Sequence, residues 1–217
     1  MDLISYDKNI VIKEDLIKLY YSPGACSLSP HIVANEAGIN VELVKVDLKN
    51  HKLTNGTDFL TINPKGYVPV LEINEGEILT EGPAIVQYLG DQQSKAEVVP
   101  AAGTMERYHL QEMLGYINSE LHKTYSLLFN PSLNPDVIKE RKDYLKKRYQ
   151  FLDKKLSEHE YLLGEKFSAA DAYLFTVTTW AKKMEIDLSD CPGIIAFQKR
   201  VGERPAVIRA MKEEGLM

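Results

Sequence analysis

Residues 16–46 read LIKLYYSPGACSLSPHIVANEAGINVELVKV, and in this stretch two strand patterns flank one helix pattern. Leu16 to Tyr21 is rich in aliphatic and aromatic residues, which is typical of a strand. Ser22-Pro23-Gly24-Ala25 ends this strand. From Cys26 to Ala37 the apolar residues are spaced for one face of a helix, and Val41 to Val46 again predicts a strand. The stretch therefore predicts a β-α-β unit.

The residues that follow complete an α/β domain. Two short apolar runs flank Asn74-Glu75-Gly76, and this arrangement predicts a β-hairpin. Glu81-Gly82-Pro83 then begins a helix that runs to about Asp91, because proline suits the first helical position. The order of elements, β-α-β-loop-β-β-α, predicts an α/β domain over residues 17–95.

Beyond this domain the chain shows helical spacing and no convincing strand pattern. Gln92 to Gly103 has the proline and glycine residues of a linker. Ser168 and Asp171 are spaced as in a capping box, with aspartate in place of glutamate. Helices are predicted at residues 104–128, 135–157, 172–183, 192–201 and 204–214. The sequence therefore predicts an all-helical domain over residues 103–217, and residues 1–16 are an N-terminal extension.

The composition is that of a globular protein. Of the 217 residues, 44% are hydrophobic and 26% are charged, which excludes disorder as the main state. The formal net charge of −5 argues against a general nucleic-acid binder, because such proteins are usually basic. No apolar run approaches the ~20 residues that span a bilayer, and the N-terminus lacks the apolar core of a secretory signal. We therefore expect neither a nucleic-acid partner nor a membrane partner.

The two cysteines, Cys26 and Cys191, are far apart in the sequence, and neither has the spacing of a metal site. We therefore expect no metal, and a location in the reducing cytoplasm. Cys26 falls at the start of the first predicted helix, where backbone N–H groups and the helix dipole favour a thiolate. This placement predicts a lowered pKa and a nucleophilic thiol; the alternative is a small buried cysteine. We expect Cys191 to be structural.

Two loops carry further candidates for ligand binding. Val68-Pro69 precedes the third strand of the domain. A cis proline there leaves the Val68 backbone free to pair with a peptide-like ligand, and the alternative is an ordinary edge-strand start. Glu81-Gly82 stands at a helix N-terminus, which binds carboxylates through its N–H groups. Glu81 either accepts a hydrogen bond from a ligand ammonium or only favours the start of the helix.

The helix predicted at residues 104–128 has two distinct faces. Its leucines lie on one side. On the other side two small residues, Gly115 and Ser119, stand beside His122 and Lys123. A solvated face normally carries long charged side chains throughout, so this pattern indicates close packing by a partner helix or by a ligand. His122 alone is also compatible with an ordinary surface or core histidine.

Four segments together resemble the cytosolic glutathione S-transferases, specifically the bacterial beta class; they are residues 18–31, 63–69, 79–85 and 119–123. The resemblance extends from Ile17 to Met217. It implies a thioredoxin-like glutathione-binding domain, an all-helical domain that supplies much of the second-substrate site, and a homodimer. Residues 1–16 have no counterpart in the family pattern.

The resemblance also implies roles for individual residues. Cys26 resembles the class cysteine beside the glutathione sulfur, and Val68 resembles the residue whose backbone pairs with the cysteinyl part. Glu81 and Gly82 resemble the pair that holds the γ-glutamyl end. The other implied thiolate donors and glutathione contacts are His122, Ser27, Tyr21, Tyr67, Pro69, His51, Lys52, Gly115, Ser119, Glu120 and Lys123. Two of these depart from the family pattern, since relatives carry Lys at the place of His51 and Asn at the place of Gly115.

These observations favour a glutathione transferase that conjugates the glutathione thiol to a hydrophobic electrophile, as in detoxification. Cys26 and His122 are its expected catalytic residues. A first alternative is glutathione-dependent thiol–disulfide exchange through Cys26, because Cys26 and Ser29 form a C-x-x-S pattern with no second thiol nearby. A second alternative is a non-catalytic carrier of hydrophobic compounds.

Overall fold

The computed structural model describes residues 17–74 and 76–217, so the N-terminal extension and Glu75 of the predicted hairpin turn lie outside the described residues. Within them, five strands form one mixed sheet: β1 (Ile17–Tyr21), β2 (Glu42–Asp47), β3 (Lys52–Leu53), β4 (Val70–Ile73) and β5 (Glu77–Thr80). The strand order across the sheet is β3-β2-β1-β4-β5. β1 and β2 are parallel, and the other neighbours are antiparallel.

The other regular elements of the described chain are helices. The α-helices are α1 (Leu28–Ala37), α2 (Gly82–Gln92), α3 (Met105–Tyr116), α4 (Lys123–Leu128), α5 (Pro135–Glu158), α6 (Ala169–Thr178), α7 (Trp180–Lys183), α8 (Pro192–Gly202) and α9 (Pro205–Glu213). A π-helical turn, Ile117–His122, joins α3 to α4. The fold class is confirmed, because a mixed thioredoxin-like sheet is followed by helices alone. None of the described helices combines the length and the apolar character that crossing a bilayer requires.

Helix α1 lies between the sheet and the C-terminal helices. It packs against α2, α6 and α9, and its residues from Leu28 to Ala34 are buried. His31 is the one ionisable side chain in that buried stretch. Its Nδ1 lies 3.0 Å from Glu214 Oε1 and its Nε2 lies 2.7 Å from Glu213 Oε2. The end of the chain therefore satisfies a polar group inside the first helix of the α/β domain.

The segment predicted as a linker is packed rather than loose. Val98 and Val99 are buried, and the Val98 carbonyl accepts a hydrogen bond from the Ala169 N–H at 2.8 Å. A Cβ atom at Gly90 of α2 would stand 2.2 Å from Val99 Cγ2, so only glycine permits this close approach. The connection between the sheet and the helices is thus fixed by apolar contact.

The predicted capping box is present at the start of α6. Asp171 is fully buried, and its Oδ2 accepts hydrogen bonds from the Ser168 N–H at 2.8 Å and from Ser168 Oγ at 2.7 Å. Its Oδ1 accepts from the Leu162 N–H at 2.8 Å. Burial raises the pKa of Asp171 to about 6, while these hydrogen bonds act to lower it. The carboxylate therefore ties the loop before α6 to the helix.

We expect Asp171→Ala to lower the free energy of unfolding by about 3 kcal/mol, because three buried donors lose their acceptor together. Urea denaturation followed by far-ultraviolet circular dichroism measures this loss. Asp143→Ala is the matched control, since Asp143 is exposed on α5. Equal midpoints for Asp171→Ala and the wild type would contradict this account of the capping box.

Candidate active site

A cavity of about 1130 Å³ opens between the sheet and the C-terminal helices. One wall consists of the turn before α1, the loop before β4 and the start of α2. The other wall consists of the π-turn, α4, α6 and α7. A cleft of this size with polar groups on one side and aromatic rings on the other is typical of a small-molecule site.

Cys26 lies in the first wall, and its thiol donates a hydrogen bond to the Val68 carbonyl at 3.1 Å. Burial raises the pKa of the Cys26 thiol to about 12, although the backbone N–H groups of Cys26 and Ser27 act in the opposite direction. The expectation of a lowered pKa is therefore wrong. Two physical reasons account for this: α1 begins at Leu28, beyond Cys26, and a thiol that donates to a carbonyl is held in its neutral form.

The Val68–Pro69 peptide bond is cis, as the sequence predicts. Both residues line the cavity, and the Val68 carbonyl faces the Cys26 thiol. Within residues 17–74 and 76–217 the Val68 N–H has no hydrogen-bond partner. A backbone donor is thus available at the cavity wall for an extended ligand.

Glu81 stands at the start of α2 with φ 71° and ψ 114°. A positive φ is uncommon for a residue other than glycine, and such strain is concentrated at functional sites. Its carboxylate binds Lys65 Nζ at 2.7 Å, and both side chains line the cavity. The negative charge expected to hold a ligand ammonium is therefore already paired within the chain.

His122 faces the cavity from the opposite wall, and its Nδ1 lies 2.6 Å from the Tyr173 hydroxyl oxygen. That hydroxyl donates to Asn118 Oδ1 at 3.0 Å. Because Tyr173 uses its single proton on Asn118, the imidazole donates from Nδ1, and its Nε2 keeps a lone pair. Burial, and secondarily the charge of Lys123, lowers the pKa of His122 to about 4. The ring is therefore neutral at physiological pH.

Two further aromatic rings lie beside His122 on this wall of the cavity. The Trp180 ring centroid lies 5.2 Å from that of His122 and 5.6 Å from that of Phe129. We call His122, Trp180 and Phe129 the aromatic wall. The Trp180 indole N–H donates to the Gly24 carbonyl at 2.8 Å, so the wall is bonded to the turn that precedes Cys26.

The cavity brings together many of the residues predicted for the site. Besides Cys26 and His122 it is lined by His51, Tyr67, Val68, Pro69, Glu81, Gly82 and Lys123. His51 Nδ1 is buried without a hydrogen-bond partner on the described part of the chain. A ligand acceptor is the simplest partner for such an atom. Of the described residues, no group of three or more histidines, cysteines and carboxylates has the arrangement of a metal site.

Other predicted residues lie outside the lining of this cavity. Ser27 is fully buried, and its hydroxyl bonds to the backbone of Ser22. Burial raises the pKa of Tyr21, which favours its neutral phenol. Lys52 lies 3.8 Å from Asp58 on the surface. The remaining three are Gly115, Ser119 and Glu120.

The π-turn accounts for Gly115 and Ser119, which the helical pattern placed on the face of His122, whereas Glu120 was expected at the site from the family resemblance alone. The prediction assumed the regular spacing of an α-helix, whereas a π-helical turn contains an extra residue and rotates the positions that follow it. Glu120 instead binds Arg148 Nε of α5 at 2.9 Å and the Tyr144 hydroxyl. Asn118, which carried no signal in the sequence, takes the place on the cavity side.

Comparison with known proteins gives the same picture. The family model for the glutathione S-transferase N-terminal domain matches residues 16–91, and that for the C-terminal domain matches residues 116–205. The glutathione S-transferase GstA of Escherichia coli O157:H7 is 41% identical over 92% of this chain and 100% of its own length. The glutathione S-transferase GST-4.5 of Xanthomonas campestris is 32% identical over 92% of this chain and 100% of its own length.

Solved structures of similar sequence have the same fold. A ternary complex of BphK, a bacterial glutathione transferase, is 52% identical with a TM-score of 0.90, over 92% of this chain and 100% of that one. A bacterial beta-class glutathione S-transferase from Sphingomonas chungbukensis is 44% identical with a TM-score of 0.89, over the same shares of the two chains. The chain therefore belongs to the glutathione S-transferase family, and within it to the bacterial beta class.

Proposed function

We propose that the protein conjugates the thiol of glutathione to a hydrophobic electrophile. The observation that carries this proposal is the cavity itself, in which a polar wall with the unpaired Val68 N–H lies opposite the aromatic wall. The proposal is supported by a sphingomonad glutathione S-transferase solved in complex with glutathione, which is 42% identical with a TM-score of 0.89. Two substrates held on opposite walls would react with the advantage of proximity.

Glutathione would bind along the polar wall. The Val68 backbone would pair with the cysteinyl part, because its N–H has no other partner within the described residues. The N–H groups that begin α2 at Gly82 would receive the γ-glutamyl carboxylate. His51, whose buried Nδ1 lacks a partner on the described part of the chain, and Lys123 would contribute further polar contacts. We propose Tyr67 and Pro69 as the packing surface beside them.

In the reaction the glutathione sulfur forms a bond to carbon of the electrophile, and the leaving group departs with its electron pair. The thiol proton must leave before or during this attack. The Nε2 lone pair of His122 can take this proton and pass it to solvent, because Tyr173 and Asn118 hold the ring's own proton on Nδ1 and the lowered pKa makes the protonated ring short-lived. The Cys26 thiol, itself neutral, would stabilise the glutathione thiolate by hydrogen bonding.

The two alternative functions, thiol–disulfide exchange and non-catalytic transport of hydrophobic compounds, require different reactivity of Cys26. Thiol–disulfide exchange requires its thiolate, and the raised pKa of the Cys26 thiol disfavours that form. A non-catalytic carrier requires no reactive thiol at all. Both cysteines are free, which accords with our proposed cytoplasmic location.

The proposed function is tested by conjugation of glutathione to chlorodinitrobenzene, measured as kcat/KM above the uncatalysed rate. We expect wild-type catalysis, a loss of about tenfold to a hundredfold in His122→Ala, and a smaller loss in Cys26→Ala because donors share the stabilisation. His109→Ala is the matched control, since His109 is exposed on α3 outside the cavity. A wild-type rate at background supports the carrier instead, and a Cys26→Ala rate at background refutes the shared role.

A separate prediction concerns the reactivity of Cys26. In a Cys191→Ala variant, where Cys26 is the only thiol, alkylation by iodoacetamide should accelerate steadily from pH 7 to pH 9. The reason is that burial raises the pKa of the Cys26 thiol to about 12, so the reactive thiolate fraction keeps growing across this range. Mass spectrometry of quenched samples gives the rates, and the double variant Cys26→Ala, Cys191→Ala is the blank for alkylation at groups other than thiols. An alkylation rate that reaches a plateau near pH 8 would mean that the thiolate forms easily. Thiol–disulfide exchange would then be the favoured function.

We also propose that the protein is a homodimer. Tyr67, Met105 and Tyr108 are 70%, 63% and 54% exposed, and we propose that these side chains belong to the partner surface. Gly115, Ser119 and Glu120 lie outside the cavity of their own chain, so a contact from them to glutathione requires the cavity of a second copy.

Light scattering at micromolar concentration should give twice the chain mass of 24.6 kDa. A closed two-fold dimer should keep this mass when the protein is concentrated further, because its interface is fully used. A particle of 24.6 kDa would contradict the proposal.

A further inference from the structure

The outer end of the cavity carries positive charge beside its aromatic rings. Phe129 and Trp180 of the aromatic wall are accompanied there by Lys183, whose Nζ lies 6.0 Å from the Phe129 ring centroid. Lys123, at the start of α4, lines the same cavity. A substrate ring that packs on this wall would therefore have the Lys183 ammonium nearby.

Neither ammonium group is paired with a carboxylate among the described residues. Of the described residues that line the cavity, Glu81 alone carries a carboxylate, and it binds Lys65 at 2.7 Å. Within residues 17–74 and 76–217, neither Lys123 nor Lys183 has a carboxylate oxygen within ion-pair distance. Lys123 adjoins His122 and is assigned above to glutathione. Lys183 stands at the end of α7, with no counter-charge on the described part of the chain.

We propose that the electrophile of this enzyme is an aromatic anion, and that Lys183 binds its negative group. A flat ring would lie along Trp180 and Phe129, with its leaving group directed inward to the glutathione sulfur and its anionic substituent directed outward to Lys183. The inference rests on the proposed function, and it names the substrate class that this cavity favours. An aryl carboxylate with a displaceable halide has the required form.

The reaction with such a substrate is an aromatic substitution. The glutathione thiolate attacks the ring carbon that bears chlorine, a C–S bond forms, and chloride leaves with the electron pair of the broken C–Cl bond. The thiol proton passes to the acceptor and then to solvent, and nothing is oxidised or reduced. The carboxylate takes no part in bond making. Its contact with Lys183 serves recognition alone.

A matched pair of substrates measures this contact. The first is the chloronitrobenzoate whose carboxylate lies para to the chlorine, and the second is the corresponding neutral amide. The ratio of their kcat/KM values should fall about fivefold in Lys183→Met, because a contact of an exposed lysine is worth up to about 1 kcal/mol. Lys183→Glu should lower the ratio further, and Lys183→Arg should restore most of it. Added salt should lower the ratio in the wild type more than in Lys183→Met.

Lys182→Met is the matched control. Lys182 is the neighbouring exposed lysine of α7 and lies outside the cavity lining, so this variant should keep both rates. A ratio that Lys183→Met and Lys183→Glu leave unchanged would overturn the inference. An equal fall of this ratio in Lys182→Met would also overturn the inference, because a positive charge anywhere on α7 would then be enough to favour the benzoate.

Binding provides a readout that does not depend on turnover. Trp180 is the single tryptophan of the chain and belongs to the aromatic wall, so quenching of its fluorescence reports a nitroaromatic bound there. In Lys183→Met the Kd of the benzoate should rise about fivefold while that of the amide changes little. If neither chlorodinitrobenzene nor either test compound is conjugated, the proposed function is wrong. The titration still shows in that case whether Lys183 binds the carboxylate. Equal Kd changes for benzoate and amide would overturn it.

Discussion

Gly24, two residues before Cys26, has both of its backbone polar groups bonded to side chains from the C-terminal helical part. Its N–H donates to Glu214 Oε2 at 2.9 Å, and its carbonyl accepts from the Trp180 indole at 2.8 Å. Its φ of +69° lies in the left-handed region that favours glycine, and Leu216 packs 3.4 Å from where a Cβ would stand. The turn that leads to Cys26 is thereby fixed by residues more than 150 positions later. Both walls of the cavity depend on this junction, because Trp180 belongs to one wall and Gly24 to the other.

Burial sets the chemistry of the two central groups in opposite senses. It raises the pKa of the Cys26 thiol and lowers that of the His122 imidazole, so each group keeps its neutral form. A neutral thiol can donate a hydrogen bond and a neutral imidazole can accept a proton. Neither group then competes with glutathione for the role of nucleophile. The arrangement suits a site in which the reactive sulfur arrives with the substrate.

Much of this architecture was readable in the sequence, because the signals were local. The β-α-β unit, the cis Val68–Pro69 bond and the capping box at Asp171 each depend on residues a few positions apart. Strand β3 was missed, since two residues carry no periodicity. The pKa of Cys26 could not be read in this way, because its environment is assembled from distant parts of the chain. The π-turn was also invisible, and with it the place of Asn118, because an α-helical wheel assumes the same rotation at every residue.

The bonds from Glu214 to Gly24 and to His31 have a consequence for synthesis of the protein. The α/β part leaves the ribosome first and can begin to fold while the helices are still being translated. Glu214, however, lies 190 positions after Gly24 and 183 positions after His31, so it is synthesised long after both. Until then the buried histidine of α1 and the turn before Cys26 lack their hydrogen bonds to Glu214. The catalytic pocket can therefore reach its final form only after the helical part has been translated as far as Glu214.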